Sequence, residues 1–218
     1  MLFSKAVRER RAALRTQFDV QREFEQIEES CVPSYLHANP LAAWTAWSRL
    51  STAASLYDRL APAGDILDFG SATGEVRQLL DARGAYHFVE ENEKLVAALQ
   101  RNLPEARREH LEALPAGRFA AIFALDSLEH NEEIGPILAR FADALAPGGT
   151  FILSGPTENW LYRFGRRLAG FGGHYHVQTI YDIERQVAER FERVDRVRAP
   201  AGVPLFAVSA WRLKAGRA

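Results

Sequence analysis

A short run of small residues is the part of the sequence best suited to binding a ligand. It reads Ile66-Leu-Asp-Phe-Gly-Ser-Ala-Thr-Gly-Glu-Val76, with Asp68 at the end of an apolar segment and glycines at 70 and 74. Small side chains let the backbone approach a ligand, and the first N–H groups of a following helix have no partner within that helix. Ordinary strand-to-helix turns share this composition, so a ligand site needs support from other segments.

That support comes from acidic residues that follow two other apolar segments. Glu90, with Glu91 beside it, ends the next predicted strand, about 20 residues after the turn, where nucleotide-binding folds place a carboxylate for ribose hydroxyls. Asp126 begins the segment Asp126-Ser-Leu-Glu-His130 after a later strand. Because ligand crevices lie outside the carboxyl ends of parallel strands, the three segments predict one nucleoside site.

Three histidines could serve as bases at such a site. His174 and His176 belong to Gly172-Gly-His-Tyr-His176, which follows another predicted strand, and His130 closes the acidic segment. A histidine can accept the proton of a hydroxyl group near neutral pH, although surface and structural roles fit these residues equally well. No cysteine or carboxylate adjoins the pair, so we predict no metal site.

The elements that position these residues alternate between strand and helix. The predicted strands are Asp65–Phe69, Tyr86–Glu90, Phe119–Leu125, Thr150–Ser154, Arg193–Arg198 and Leu205–Leu213, with a further one ending near Glu109. The predicted helices are Glu75–Arg83, Asn92–Asn102, Glu132–Leu145, which Pro147-Gly148-Gly149 would end, and Tyr181–Phe191. Repeated strand-then-helix order predicts an α/β fold with a parallel sheet, helices on both faces and right-handed crossovers. The last two strands could form an antiparallel hairpin at one edge.

The flanking regions differ from this pattern. Residues 1–60 are predicted to form a helical extension, with a helix over Leu41–Leu60, and residues 61–218 the nucleoside-binding domain. Trp44 and Trp47 lie three residues apart on that helix and favour a core position over stacking on a substrate. An insert at about 157–177, rich in aromatic residues, arginine and glycine, could be a lid or a helix at a membrane surface.

Composition limits the classes of partner. The chain has 218 residues and a net charge of -1, which argues against nucleic acid as a partner because its binding depends on clustered positive charge. No apolar stretch approaches the roughly 20 residues of a membrane-spanning helix, and no secretory signal opens the chain. The single cysteine, Cys31, is interpreted as structural. These features predict a cytoplasmic protein, and the N-terminal helix, basic and then acidic, could pair with a second copy in a homodimer.

Taken together, the motifs resemble those of the class I S-adenosylmethionine-dependent methyltransferases, with a type 11 or type 12 methyltransferase domain. The resemblance covers roughly Leu60 to Pro156 and is greatest to the branch that includes the ubiquinone-biosynthesis methyltransferases. It implies a Rossmann-like seven-stranded sheet that is parallel apart from one antiparallel edge strand. It also implies cofactor contacts from the residues at the three strand ends, namely Asp68, Gly70, Ser71, Ala72, Gly74, Glu90, Glu91 and Asp126.

Two departures from the family pattern stand out. Ala72 replaces a residue that is usually glycine, and the segment after the third strand, where the family often has an acid for adenine, offers His110, Leu111 and Glu112. Leu111 and Glu112 are the predicted adenine contacts. A nicotinamide enzyme fits less well, because the last glycine of G-x-G-x-x-G is missing and Glu75 would face a pyrophosphate.

The predicted function is that of an enzyme that transfers a methyl group from S-adenosylmethionine, leaving S-adenosylhomocysteine. The expected acceptor is a small, sugar-linked or lipid-linked molecule methylated at oxygen, and the lipid-linked case would bring peripheral contact with a membrane. The alternative is a non-catalytic protein that binds the cofactor and has lost its acceptor chemistry.

Overall fold

The computed structural model describes residues 2–28, 30–81, 83–157, 178–201 and 203–215. Within these ranges the α-helices are α1 (Lys5–Gln17), α2 (Phe24–Ile27), α3 (Val32–Leu36), α4 (Pro40–Leu60), α5 (Glu93–Asn102), α6 (Gly135–Ala144) and α7 (Ile180–Arg190). The strands are β1 (Asp65–Phe69), β2 (Tyr86–Val89), β3 (Arg107–Arg108), β4 (Phe119–Leu125), β5 (Leu145–Pro156), β6 (Phe191–Ala199) and β7 (Phe206–Leu213). Single turns of 3₁₀ helix span Val76–Leu79, Leu111–Ala113 and Leu128–His130.

The seven strands form one sheet in the order β3-β2-β1-β4-β5-β7-β6. The first five strands are mutually parallel, whereas β7 is antiparallel to both of its neighbours. The predicted α/β fold with a seven-stranded, mostly parallel sheet is therefore confirmed. The antiparallel strand was expected at the edge and lies one position inside it, because β7 inserts between β5 and β6.

Helices cover both faces of the sheet, and this explains why the central strands lack polar alternation. All seven residues of β4 are buried. Helices α1, α3, α4 and α5 share one apolar cluster with Phe88 and Phe123 on one face, and α6 and α7 share another with Ile122 and Phe151 on the other. A strand buried on both faces reads as a continuous apolar run, as Phe119–Leu125 does.

Several predicted helices and strands are confirmed with small shifts. The helix expected at Asn92 begins at Glu93, with the Asn92 side chain accepting hydrogen bonds from the N–H groups of Lys94 and Leu95. The hairpin of β6 and β7 is present at the sheet edge. Trp47 is a core residue at 1% exposure, as predicted, whereas Trp44 is only half-buried.

Two helix predictions are wrong at their ends. Of the described residues in the segment predicted as Glu75–Arg83, only Val76–Leu79 are helical, and the backbone at Leu80 is already extended. A Cβ atom on Gly84 would lie 2.0 Å from the carbonyl oxygen of Gly64, so the chain must turn back here to pass close to the start of β1.

The second misplaced helix is α6, which starts at Gly135 instead of Glu132 because Pro136 fits the first turn. It ends at Ala144, before Pro147-Gly148-Gly149. That tripeptide lies in β5, where residues 146–149 stand opposite the single residue Ala120 of β4. The glycines therefore form a bulge in a strand, and they do not end the helix.

The N-terminal helices pack directly on the sheet. Leu14 of α1, Val32 of α3 and Leu56 of α4 belong to the same apolar cluster as Ile66 of β1. The division at residue 60 into an extension and a domain stays a prediction, and the two parts share one core. No helix in the described ranges is both long and apolar enough to cross a membrane.

Candidate active site

The candidate site lies where β1 and β4 are neighbours at the centre of the sheet. The connection after β1 runs towards β2 and the connection after β4 towards β5, so the chain leaves a crevice between their carboxyl ends. The loop after β1 is joined to β2 by a hydrogen bond from the N–H of Gly70 to the carbonyl oxygen of Val89 at 2.9 Å. The small-residue loop and the acid after β2 are thereby brought together, as predicted.

Three residues of this loop have left-handed backbone conformations. The φ angle is +67° at Gly70, +48° at Ala72 and +80° at Gly74. Such conformations are cheap for glycine and cost other residues about 1–2 kcal/mol. Ala72 therefore occupies a position that favours glycine, and this explains why the family pattern usually has glycine there.

Glu90 contacts the loop with its carboxylate. Its Oε2 accepts the N–H of Ala72 at 2.9 Å, and its Oε1 accepts the N–H groups of Glu91 and Asn92, each at 3.0 Å. Burial raises the pKa of Glu90 above its ordinary value, although the three N–H groups act to lower it. These hydrogen bonds orient the carboxylate towards the loop after β1. They leave further lone pairs on its oxygens that a ligand can use.

Asp68, at the end of β1, is 3% exposed and accepts a hydrogen bond from the hydroxyl of Tyr86 on β2. Burial raises the pKa of the Asp68 carboxyl to about 7; nearby Glu75 and Glu90 raise it further, against the hydrogen bond from Tyr86. The folded protein therefore binds a proton at Asp68 more tightly than the unfolded chain does.

This shift predicts a pH dependence of stability. With a pKa above that of the unfolded chain, Asp68 makes the free energy of unfolding fall as the pH rises from about 4 to about 7. Asp68→Asn cannot titrate and keeps an acceptor for Tyr86, so its Tm at pH 8 should exceed that of the unmodified chain by about 5 °C or more. Calorimetric melting of both proteins at pH 5 and pH 8 checks this. If the change in Tm between the two pH values is the same for Asp68→Asn as for the unmodified chain, the prediction is contradicted.

The cleft beside the loop is narrow and roofed by the N-terminal helices. Its floor is formed by the end of β1 and the loop, namely Asp68, Gly70, Ser71 and Ala72. Its roof is formed by Cys31 and Tyr35 at α3, with Leu50 of α4. The cavity between them measures about 20 Å³, which is room for one water molecule. The hydroxyl of Ser71 is buried there without a hydrogen-bond partner among the described residues, so the floor offers an unused polar group.

A buried ion pair adjoins the roof. Arg49, at the centre of α4 and 2% exposed, contacts the carboxylate of Asp126, which also accepts the hydroxyl of Ser154. The same guanidinium reaches the hydroxyl of Tyr35 and the Sγ of Cys31, both at 3.3 Å. Both carboxylate oxygens of Asp126 are bonded within the protein, and its role as a cofactor contact stays a prediction. Its φ of +52° is a strained conformation of the kind that collects at functional sites.

Glu75 is paired as well. Its Oε1 accepts two hydrogen bonds from Arg10 of α1, at 2.7 and 3.1 Å, and its Oε2 accepts the hydroxyl of Thr73. Arg10 also donates to the carbonyl oxygen of Thr73 at 3.2 Å. The repulsion between Glu75 and a pyrophosphate that the sequence predicted is therefore weakened, because Arg10 compensates the charge of Glu75.

Other predicted residues lie outside the lining of the cleft. Glu91 is exposed, and Leu111 and Glu112 belong to a 3₁₀ turn whose carbonyl groups accept hydrogen bonds from Arg140. His130 ends the 3₁₀ turn after β4, partly exposed and likewise outside the lining. Their roles as cofactor or acceptor contacts stay predictions.

His174 and His176 lie outside the described residues, as does nearly all of the insert at 157–177. The described residues contain no group of three or more side chains that could hold a metal ion.

The sequence analysis missed Arg49 and Arg10. Arg49 did give a signal, since a charged residue between Trp47 and Leu50 on an apolar helix must be buried with a partner. Arg10 is one of several arginines in α1, and nothing in the spacing distinguishes it from Arg8 or Arg15.

Comparisons with known proteins agree with this geometry. The model of the family described as "Methyltransferase domain" matches residues 43–207, well over half of the chain. None of the curated proteins compared with the chain is significantly similar to it in sequence.

Among solved structures, PH0226 from Pyrococcus horikoshii OT3 superposes with a TM-score of 0.68 at 15% identity, covering 87% of this chain and 99% of that one. The N-methyltransferase NodS from Bradyrhizobium japonicum WM9, in complex with S-adenosylhomocysteine, gives 0.67 at 15% identity, covering 90% and 99%. Magnesium protoporphyrin IX methyltransferase from Synechocystis PCC 6803, also with bound S-adenosylhomocysteine, gives 0.64 at 17% identity, covering 88% and 95%. At these identities the likeness establishes the fold.

The match to the family model agrees with the strand order, the left-handed loop after β1 and the carboxylate after β2. The predicted resemblance to class I methyltransferases is confirmed, while the ubiquinone-biosynthesis branch stays a prediction. The chain belongs to the methyltransferase domain family.

Proposed function

We propose that the chain is an enzyme that transfers the methyl group of S-adenosylmethionine to an oxygen atom of a small, sugar-linked or lipid-linked acceptor. The observation that carries this proposal is the 2.9 Å hydrogen bond between Glu90 and the N–H of Ala72, which sets the acid after β2 against the loop after β1. Two of the similar structures hold S-adenosylhomocysteine, and this supports the same cofactor here.

The residues at the cleft suit such a molecule. Glu90 would accept hydrogen bonds from ribose hydroxyls, and the buried hydroxyl of Ser71 would bond to the amino-acid portion. Asp68 supplies a carboxylate that is partly ionised near pH 7 and that attracts a cation. When bound, the cofactor supplies an already activated methyl group, so the protein must chiefly align the acceptor and exclude water.

Oxygen as the acceptor atom is supported by three histidines that follow strands in the sequence. A hydroxyl acceptor must lose its proton as the new bond forms, and His130, His174 and His176 are the candidate bases. One of the similar structures is an N-methyltransferase, so the choice of oxygen rests on this chain's own residues. The net charge of -1 supports an acceptor other than nucleic acid.

Calorimetric titration tests the cofactor directly. We expect S-adenosylmethionine and S-adenosylhomocysteine to bind and NAD to give no heat of binding. A panel of hydroxylated acceptors, with S-adenosylhomocysteine detected as product and the methylated atom identified by mass spectrometry, then tests the reaction. Binding without turnover on any acceptor would favour the non-catalytic alternative, and absence of cofactor binding would overturn the proposal.

A further inference from the structure

The roof of the cleft belongs to a distinct group of helices. Helices α1, α2 and α3, here called the cover, precede α4 and lie over the carboxyl end of β1. Arg11 of α1 joins its parts by donating to the carbonyl oxygens of Tyr35 at 3.0 Å and His37 at 3.1 Å. Because the backbone around α3 is fixed to α1 in this way, the roof should move together with α1.

The space beneath the cover is too small for a nucleoside. The cavity of about 20 Å³ is far below the roughly 300–1,000 Å³ of ordinary small-molecule sites. Tyr35 is 4% exposed and packs against Trp47 with ring centroids 5.2 Å apart, so the roof is itself well packed. A ligand can therefore reach Ser71, beneath the roof, only if Cys31 and Tyr35 first move away.

One ion pair fastens the cover to the cofactor loop itself. Arg10 has a side chain 10% exposed and Glu75 one 1% exposed, and the two share two hydrogen bonds. A further bond from Arg10 to the carbonyl oxygen of Thr73 extends this contact to the loop backbone. The cover is thus bound to the residues that a cofactor must approach.

The polar contacts between the cover and α5 are more exposed, whereas its buried polar contacts run to α4. Gln17 and Asn102 exchange two side-chain hydrogen bonds, and Glu23 pairs with Lys94 at 2.7 Å. Pairs of this kind contribute little to stability because water competes for both partners. The Arg10–Glu75 pair is therefore the principal electrostatic tie between the cover and the loop.

We propose that the cofactor enters by outward movement of the cover, which the Arg10–Glu75 pair holds closed. This inference rests on the proposed function, since it concerns the route to the same site. The closed form leaves room for about one water molecule in the cleft, and the open form admits the ligand. Binding is then limited at high ligand concentration by the rate of opening.

A reducible cross-link tests whether the cover must move. The substitutions Gln17→Cys and Asn102→Cys place two thiols where the side chains now touch, and a two-armed methanethiosulfonate reagent can join them. We expect the cross-linked protein to bind S-adenosylhomocysteine at least tenfold more slowly than the same protein after reduction with dithiothreitol. The unmodified chain treated with the reagent is the control.

The outcomes separate the two proposals. If the reduced double variant binds and the cross-linked form binds equally fast, the cover proposal is overturned and the proposed function stands. If neither the double variant nor the unmodified chain binds the ligand, the proposed function falls, and the entry route falls with it.

Stopped-flow fluorescence gives an independent measurement. Trp47 donates from its Nε1 to the carbonyl oxygen of Tyr35 at 3.3 Å, so its emission should report movement of α3. The observed rate should level off as S-adenosylhomocysteine is increased, and Arg10→Met should raise this limiting rate at least fivefold. Arg15→Met, on the exposed face of the same helix, should leave it unchanged. A rate that rises linearly with concentration and is unaffected by Arg10→Met would contradict opening before binding.

Discussion

Replacing Glu90 is expected to weaken cofactor binding about tenfold in Glu90→Gln and up to about a hundredfold in Glu90→Ala. Hydrogen bonds to a charged group contribute about 1.5–3 kcal/mol each, and about 1.4 kcal/mol corresponds to a tenfold change in Kd. Glutamine keeps one oxygen that can accept the N–H of Ala72, so it removes the charge and the second acceptor oxygen but can keep this support of the loop. Alanine removes the support of the loop as well.

Calorimetric titration with S-adenosylhomocysteine measures this effect, with Glu105→Gln as the matched control at an exposed position. Thermal melting of each variant should accompany the titration, because Glu90 also accepts the N–H groups of Glu91 and Asn92. Affinity that stays the same in both Glu90 variants, with the fold intact, would remove this carboxylate from the site.

Gly70→Ala should lower the free energy of unfolding by about 3 kcal/mol or more. The left-handed conformation at Gly70 costs a residue with a Cβ about 1–2 kcal/mol, and overpacking typically adds about 1–3 kcal/mol. The new Cβ would lie 2.4 Å from the Cβ of Ser127, a distance that forces the loop and the segment after β4 apart. The Tm should fall by about 6–12 °C for a chain of this size.

Ala72→Gly, two residues along the same loop, is the control, for which little change in stability is expected. Relief of the left-handed strain gains about 1–2 kcal/mol, whereas the loss of a buried methyl group costs about 0.8 kcal/mol. The greater freedom of glycine in the unfolded chain costs about 0.4–1 kcal/mol more. The balance is close to zero, so a Tm near that of the unmodified chain is expected. Similar losses in both variants would contradict the assignment of strain and crowding to Gly70.

Features with local causes were predictable from the sequence. The apolar run Phe119–Leu125 indicated a strand buried on both faces, and Asn92 marked the start of a helix because its side chain caps the first N–H groups. The proximity of Glu90 to the loop followed from the parallel order of β1 and β2. Each of these inferences needed only one or two neighbouring segments.

Features that depend on distant segments were not predictable in this way. Residues 75–83 have the composition of a helix, yet they complete one turn, because Gly84 must pass close to Gly64. The partners of Asp126 and Glu75 are arginines 77 and 65 positions away in the sequence. The sequence can indicate that a buried arginine needs an acidic partner, but it does not show which carboxylate is that partner.

The position of β7 has a consequence for how the protein is made. β7 is synthesised after β6 but lies between β5 and β6, so β6 has no strand to pair with until the ribosome has completed residues 206–213. Until then the edge of β5, with its apolar residues Phe151 and Leu153, is open to pairing with other chains. A nascent or truncated chain that stops before Phe206 should therefore depend on chaperones and accumulate in inclusion bodies.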